Sequence, residues 1–316
     1  MSNVRWTADT IPHLTDKVAI ITGANSGLGY ESALALAGKG AQVVIASRNQ
    51  DKAKTARDAI YNAHPNAILD IIQLDLANLE SVQRFAETFT TKYDRLDILM
   101  NNAGVMALPP RKTTDGFEMQ FGTNHLGHFA LTGRLLDLIL ATPNARVVTV
   151  SSSLHRQGKM NFDDLQSEEN YAKWDAYAQS KLANLLFAFE LQRKLEAVDS
   201  STISVGAHPG YSGTNLQTTG PDMEGSQIRR VMMKVANVLF SQSAAMGALP
   251  QLYAAVGPDV KGGEYYGPGG LMEMRGYPTR VKANDQAYDN ESAARLWTIS
   301  KQLTGVTYQQ LTPATV

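Results

Sequence analysis

Val18-Ala-Ile-Ile-Thr22 runs without a break into Gly23-Ala-Asn-Ser-Gly27-Leu-Gly29, and an alanine-rich stretch of helical length follows. The β-branched run reads as a buried strand, and the change of period behind it reads as a helix. Glycine suits the junction because a side chain would hold the backbone away from a pyrophosphate, whose charge the free N–H groups of a helix N-terminus would meet. Such a loop by itself could equally make only a tight strand-to-helix turn, so the reading depends on its surroundings.

Outward from that loop the same alternation repeats. Further strands are expected at Gln42–Ala46, Ile68–Leu74, Leu96–Met100, Arg146–Ser151 and Thr202–Ala207, with a weaker one near Gly262–Tyr265. Helices are expected to begin near Gly27, Gln50, Leu79, Asp115, Asp175 and Ala244. Strands separated by crossover helices imply an α/β fold, a Rossmann-like doubly wound parallel sheet of about seven strands with helices on both faces. No repeat, low-complexity tract or linker divides the chain, which implies a single domain. Between 218 and 242, Gly220-Pro221 turns the chain and Ile228, Val231, Met232, Val235, Val238 and Leu239 recur at helical spacing, as in an inserted helical lid. A last helix is expected over Ala287–Leu303, ended by Gly305.

Composition narrows the function. The chain has 316 residues, 43% hydrophobic and 19% charged, which is that of a globular protein. Its net charge of -1 argues against nucleic acid or an anionic membrane surface as main partner. The absence of cysteine excludes disulfides, thiolate zinc sites, iron–sulfur clusters and a cysteine nucleophile, and fits a reducing compartment. Arg5, Asp9 and Asp16 interrupt the first 17 residues, unlike a signal peptide. Apolar stretches such as Val235–Phe240 fall short of the roughly 18 to 20 residues that cross a bilayer, so no membrane insertion and a cytoplasmic location are expected. His125 and His128 share a helical face, but no third ligand accompanies them, and no metal site is expected.

Four motifs follow one another in order: Thr22-Gly23-x-x-x-Gly27-x-Gly29, Asn101-Asn-Ala-Gly104 after the fourth strand, Ser151-Ser-Ser153 after the fifth, and Tyr177-Ala-Gln-Ser-Lys181. Together they resemble the short-chain dehydrogenase/reductase family. The resemblance runs from about Lys17 to Gly305 and implies a nicotinamide cofactor and hydride transfer between it and a carbonyl or alcohol carbon of a small molecule. It marks residues 1–16 as an N-terminal arm, 17–305 as the family's domain with its lid at about 218–242, and 306–316 as a C-terminal tail.

The Tyr177–Lys181 spacing carries its own chemistry. Residues four apart share a helix face, so the Lys181 ammonium is expected near the Tyr177 phenol, favouring its ionised form and making it an acid/base near neutral pH. The resemblance implies that Ser152 holds the substrate oxygen, with Ser151 and Ser153 as nearby alternatives. It implies that Asn124, in Thr123-Asn-His-Leu-Gly127, positions a water and completes a tetrad with Ser152, Tyr177 and Lys181, and that Lys181 also binds the nicotinamide ribose. Asn124 could instead only satisfy buried backbone groups.

Cofactor contacts are expected from Gly23, Asn25, Ser26, Gly27, Leu28 and Gly29, and the resemblance implies further ones from Asp75 and Leu76 at the adenine edge and from Asn102, Ala103 and Gly104. The resemblance of His208-Pro209-Gly210-x-x-x-Thr214 to the family's Pro-Gly segment implies that Pro209, Gly210 and Thr214 lie at the carboxamide end of the nicotinamide. After the second strand, where NAD enzymes usually place a carboxylate, stand Ser47 and Arg48. A guanidinium binds a 2'-phosphate and an acid would repel it, so NADP(H) is expected over NAD(H), although Arg48 could also cap a surface turn. Lys52 is a further candidate contact.

From Ser152 to Tyr177 there are 25 positions, about a dozen more than in many family members. With Ala178 to Leu186, this spacing resembles the branch of retinol dehydrogenases, the WW-domain oxidoreductase and light-dependent protochlorophyllide reductase. The chain shows no membrane anchor and no WW module, and it lacks the cysteine that the last of these uses near its pigment. The apolar face of the lid implies a hydrophobic substrate, although core packing explains the same residues. Relatives pair through the helices after the fourth and fifth strands, so a homodimer is expected, with the long insert before Tyr177 as an obstruction. Two other functions stay open: NADP(H) sensing or scaffolding with catalysis secondary, and reduction of a conjugated double bond.

Overall fold

The computed structural model describes residues 5–211 and 242–312. Eight strands form one sheet in the order β3-β2-β1-β4-β5-β6-β7-β8. They are β1 Val18–Thr22, β2 Gln42–Ser47, β3 Ile68–Gln73, β4 Ile98–Asn101, β5 Arg146–Val150, β6 Ile203–Ala207, β7 Tyr265–Pro268 and β8 Pro278–Arg280. The first seven run parallel and β8 runs antiparallel to β7. The expected count of about seven is therefore met by the parallel strands. The eighth is a short edge strand of three residues that begins with proline, where no run of alternating residues could announce it. The weak seventh strand begins at Tyr265, where the expected one ended.

The helices are α1 Gly27–Gly38, α2 Gln50–Ala63, α3 Leu79–Lys92, α4 Met119–Phe121, α5 Gly127–Arg134, α6 Leu136–Ala141, α7 Lys173–Glu196, α8 Ala244–Val256 and α9 Asn290–Thr304. Neighbouring β1 residues face opposite layers: Ile20 packs with Phe85, Phe89 and Phe129, and Ile21 with Leu36, Ile60 and Leu252. Burial of all five β1 residues is what a sheet covered on both faces requires.

Two expected helix starts move for local reasons. Asp115 begins no helix; its carboxylate accepts from Leu79 N at 2.9 Å and so caps α3. The helical path starts at Met119, where Glu118 accepts from the Gln120 and Phe121 N–H groups. The last helix starts at Asn290 because Asp289 caps Glu291 and Ser292. Beyond Gly305, Val306, Tyr308 and Leu311 are buried, and the Tyr308 hydroxyl donates to Phe129 O at 2.7 Å. In the N-terminal arm, Ile11 and Leu14 are buried against the layer of α1 and α8. Of the lid expected at about 218–242, all but Gln242 lies outside the described residues, and so does Thr214. No helix of the described residues is long and apolar enough to cross a membrane.

Candidate active site

The crossovers leave β1 toward one side of the sheet and β4 toward the other, which opens a crevice at the carboxyl ends of the strands. A cleft of about 700 Å³ lies there, with the glycine loop at one end and Tyr177 toward the other.

Gly23 and Gly27 hold positive φ values of 70° and 55°. A Cβ on Gly29 would come within 2.5 Å of the Gly23 carbonyl oxygen. Asn49, Asn78, Ser243 and Asp289 cap α2, α3, α8 and α9 with their side chains, but Ser26 makes no such bond to α1. The first-turn N–H groups of α1 are thus left to a ligand, and an anionic pyrophosphate suits them. Asn25, Ser26, Leu28, Leu76 and Gly104 line the same cleft. Asn102 and Ala103 are stapled to the loop: both backbone N–H groups donate to Thr22 Oγ1 at 2.9 Å, and Asn102 Nδ2 donates to Thr22 O at 2.7 Å.

At the far end of the loop, β2 finishes in Ser47 with no acid beside it. Arg48, Asn49 and Lys52 line the cleft there. The Arg48 side chain is 70% exposed, and its Nη1 lies 3.9 Å from Asp75 Oδ2. Asp75 is turned partly inward, its Oδ1 accepting from Ala77 N at 3.0 Å.

Of the four residues expected to form a tetrad, Ser152, Tyr177 and Lys181 line the cleft, and Asn124 is buried behind it. Tyr177 and Lys181 project from α7, and Lys181 Nζ lies 5.8 Å from the centre of the Tyr177 ring. That ammonium donates to Val150 O at 3.2 Å, at the end of β5. The Ser152 hydroxyl hydrogen-bonds the Tyr177 phenol. Of its neighbours, Ser151 instead donates to Lys181 O at 2.7 Å. Asn124 sits in a π-helical turn, Gly122–Leu126, a widening of the helix that recurs at functional sites. Its Oδ1 accepts from Val105 N at 2.8 Å, and its Nδ2 donates to Val105 O and Ser180 Oγ at 2.9 Å. The amide is therefore committed to the protein. A Cβ on Gly104 would lie 3.1 Å from Asn124 Oδ1 and 3.4 Å from Lys181 Nζ, so glycine lets both groups approach the strand end.

Electrostatics correct one expectation. Burial pushes the Tyr177 phenol up to about 12, with the Ser152 hydrogen bond pulling the other way. Burial also brings Lys181 down to about 8. The lysine was expected to lower the phenol. Both groups are enclosed, however, and desolvation sets the direction for each. The phenol is held in its protonated form.

Pro209 and Gly210 form the wall beyond Ser152. Gly210 has φ +64°, and a Cβ there would meet Met274 O at 2.5 Å. His125 and His128 are fully buried: His125 Nε2 meets Ser300 Oγ at 2.8 Å, while His128 bonds Thr22 and Asn124. Among the described residues no group of three or more His, Cys, Asp or Glu is placed to hold a metal ion.

Sequence reasoning missed the apolar wall opposite the glycine loop, made by Met106, Met119, Leu154 and Trp174. Trp174 is 46% exposed and stands edge-on to Tyr177, the ring centres 6.5 Å apart. Its position three residues before Tyr177, on one helix face, was a usable signal. The stretch before Tyr177 supplies Leu154 and Trp174 to this wall. The Tyr171 hydroxyl donates to Leu108 O at 2.8 Å and accepts from Gln120 Nε2 at 3.0 Å.

A family model described as short chain dehydrogenase matches residues 17–225. Mouse retinol dehydrogenase 14 is 39% identical over 302 residues, covering 92% of this chain and 86% of that protein. Human polyprenol dehydrogenase is 38% identical over 300 residues, covering 93% and 87%. A solved structure of an uncharacterized protein from Mycobacterium paratuberculosis superposes with a TM-score of 0.79 at 41% identity, covering 96% of this chain and 99% of its own.

Proposed function

This chain belongs to the short-chain dehydrogenase family, in its retinol dehydrogenase branch, and on that premise we propose that it is an NADP(H)-dependent enzyme interconverting an apolar carbonyl compound and its alcohol. Its membership makes it an oxidoreductase acting on CH–OH or C=O groups. The observation that carries the finer reading is the Tyr177 phenol, hydrogen-bonded to Ser152 between the glycine loop and an apolar wall.

A nicotinamide dinucleotide bound in the cleft supplies or takes up the hydride. The uncapped first turn of α1 would hold its pyrophosphate, and Lys181 would bind its ribose. Ser152 donates a hydrogen bond to the substrate oxygen and fixes it beside Tyr177. In reduction the phenol gives that oxygen its proton, and in oxidation the phenolate takes it back. Burial holds the phenol in its protonated form, the form that donates in reduction.

Arg48 at the end of β2, with no carboxylate at Ser47, supports NADP(H) over NAD(H). The exposed ring of Trp174 and the neighbouring methionines support an apolar substrate. Two relatives are named for retinol and polyprenol, both apolar alcohols. The test is NADPH and NADH oxidation by the purified protein across apolar aldehydes and ketones, with the products identified. Failure to oxidise either cofactor across the panel sinks the assignment, and saturation of a double bond in place of alcohol formation replaces the reaction.

A further inference from the structure

We infer that His128 is a positioning residue that ties the cofactor loop to the turn carrying Asn124, each ring nitrogen serving one half of the site. The inference rests on the proposed reading of the cleft as a nicotinamide dinucleotide site.

The hydrogen bonds leave one arrangement of protons. His128 Nδ1 lies 2.9 Å from Asn124 O, and a carbonyl only accepts, so Nδ1 carries the hydrogen. In the neutral ring Nε2 is then a lone pair, 2.9 Å from Thr22 Oγ1, and the hydroxyl donates to it. The other acceptor near that hydroxyl, Met100 O, is farther away at 3.3 Å. With its proton given to the imidazole, Thr22 Oγ1 keeps its lone pairs for the Asn102 and Ala103 N–H groups. Burial, reinforced by the Lys181 charge on α7, brings the imidazole down to about 4, against a pull upward from the Asn124 carbonyl. The other titratable group beside it, His125, is neutral for the same reason.

The two ends of this tie act on different parts of the cleft. Through Thr22 the imidazole fixes Asn102 and Ala103 against the glycine loop, where the dinucleotide lies. Through Asn124 O it anchors the π-helical turn whose amide clamps Val105 and Ser180, and Ser180 Oγ in turn donates to Tyr177 O at 2.7 Å. One ring thus sets the spacing between the cofactor bed and the segment bearing the proton donor.

His128→Asn and His128→Gln separate the two bonds, because an asparagine amide reaches the place of Nδ1 and a glutamine amide the place of Nε2. His128→Asn keeps the Asn124 bond and frees Thr22. It is expected to raise the NADPH Kd about tenfold, the worth of one ordinary hydrogen bond, with kcat within about twofold of wild type. His128→Gln is expected to do the reverse, lowering kcat about tenfold with Kd nearly unchanged. Thr22→Val removes the donor to Nε2 together with the acceptor of the Asn102 and Ala103 N–H groups, so it should raise Kd more than His128→Asn does and leave kcat in place. If either histidine variant fails to fold, the tautomer of the wild-type ring still decides the claim. Long-range 1H–15N spectra of the cofactor-free protein should show a neutral Nδ1–H imidazole at His128 from about pH 5 to 8. A merely structural histidine would move Kd and kcat together in both variants, or move neither, and either result overturns the tie, as does an Nε2–H tautomer. A wild-type protein that oxidises no NADPH overturns the proposed function instead, and the tautomer and the Kd series still decide this one.

Discussion

Lys181 follows Tyr177 by one turn of α7, its ammonium 5.8 Å from the centre of the phenol ring and bonded to the carbonyl of Val150. The pair is rigidly placed, since α7 is buried around both residues and Ser151 and Asn184 brace the same strand end. Tyr177→Phe keeps the ring and removes only the proton donor. Turnover is expected to fall by about 10² to 10⁴, the usual worth of a positioned acid/base, while the NADPH Kd measured by titration stays close to wild type. Undiminished turnover in this variant would end the proposed chemistry.

The buried lysine has a cost that can be measured without substrate. Its pKa in the folded chain, about 8, lies below its ordinary value of 10.5. The unfolded chain therefore binds more protons between those values, and stability rises with pH across that window. Below the window the buried charge costs the fold about 3 kcal/mol, at roughly 1.4 kcal/mol per pKa unit. Lys181→Met should accordingly raise the thermal midpoint at neutral pH and lose that advantage as pH approaches 10.5. A variant less stable than wild type at neutral pH would contradict this.

Arg48 faces solvent at the end of the cleft proposed to take the cofactor's adenosine, so its replacement should leave the fold intact. Arg48→Asp replaces a cation that can bind a 2'-phosphate with an anion that repels it. Titration should show the NADPH Kd rising by about 10- to 100-fold, as expected for loss of a charge-assisted bond, and the NADH Kd changing little. Equal weakening of both cofactors would remove the phosphate from the argument.

Trp174 presents its ring to the cleft beside Tyr177. Trp174→Ala deletes a large apolar surface that is 46% exposed without ligand. Burying such a side chain against a substrate is worth about 1 to 3 kcal/mol. Steady-state kinetics should show KM for bulky apolar aldehydes rising by about 5- to 100-fold, with short aliphatic aldehydes and the NADPH Kd little affected. Uniform losses across the aldehyde series would place Trp174 outside the substrate's path.

The glycine loop and the Tyr177–Lys181 pair were legible because their chemistry is local: one needs a bare backbone at a helix start, the other one turn of helix. Ser152 was legible among three serines only by resemblance, and the geometry that distinguishes it is its bond to the phenol. What stayed hidden depends on contacts between distant segments. Asp115 looks like a helix start until Leu79 N claims its carboxylate across 36 positions. His128 looks like half of a metal pair until Thr22 arrives from 106 positions away. The direction of the Tyr177 shift was misjudged because spacing reveals a neighbouring charge but not the depth at which both groups are buried. The strand β8 has too few residues to show a period at all.

The enclosure of α7 reaches beyond catalysis. From Ala176 to Gln192 every residue is buried within one molecule. Along its outer flank Phe187 stacks on Trp297 of α9, and Phe189 on Tyr288. The chain has wrapped this helix in its own C-terminal region. Among the described residues the middle of α7 is therefore sealed by its own chain, and only its two ends meet solvent.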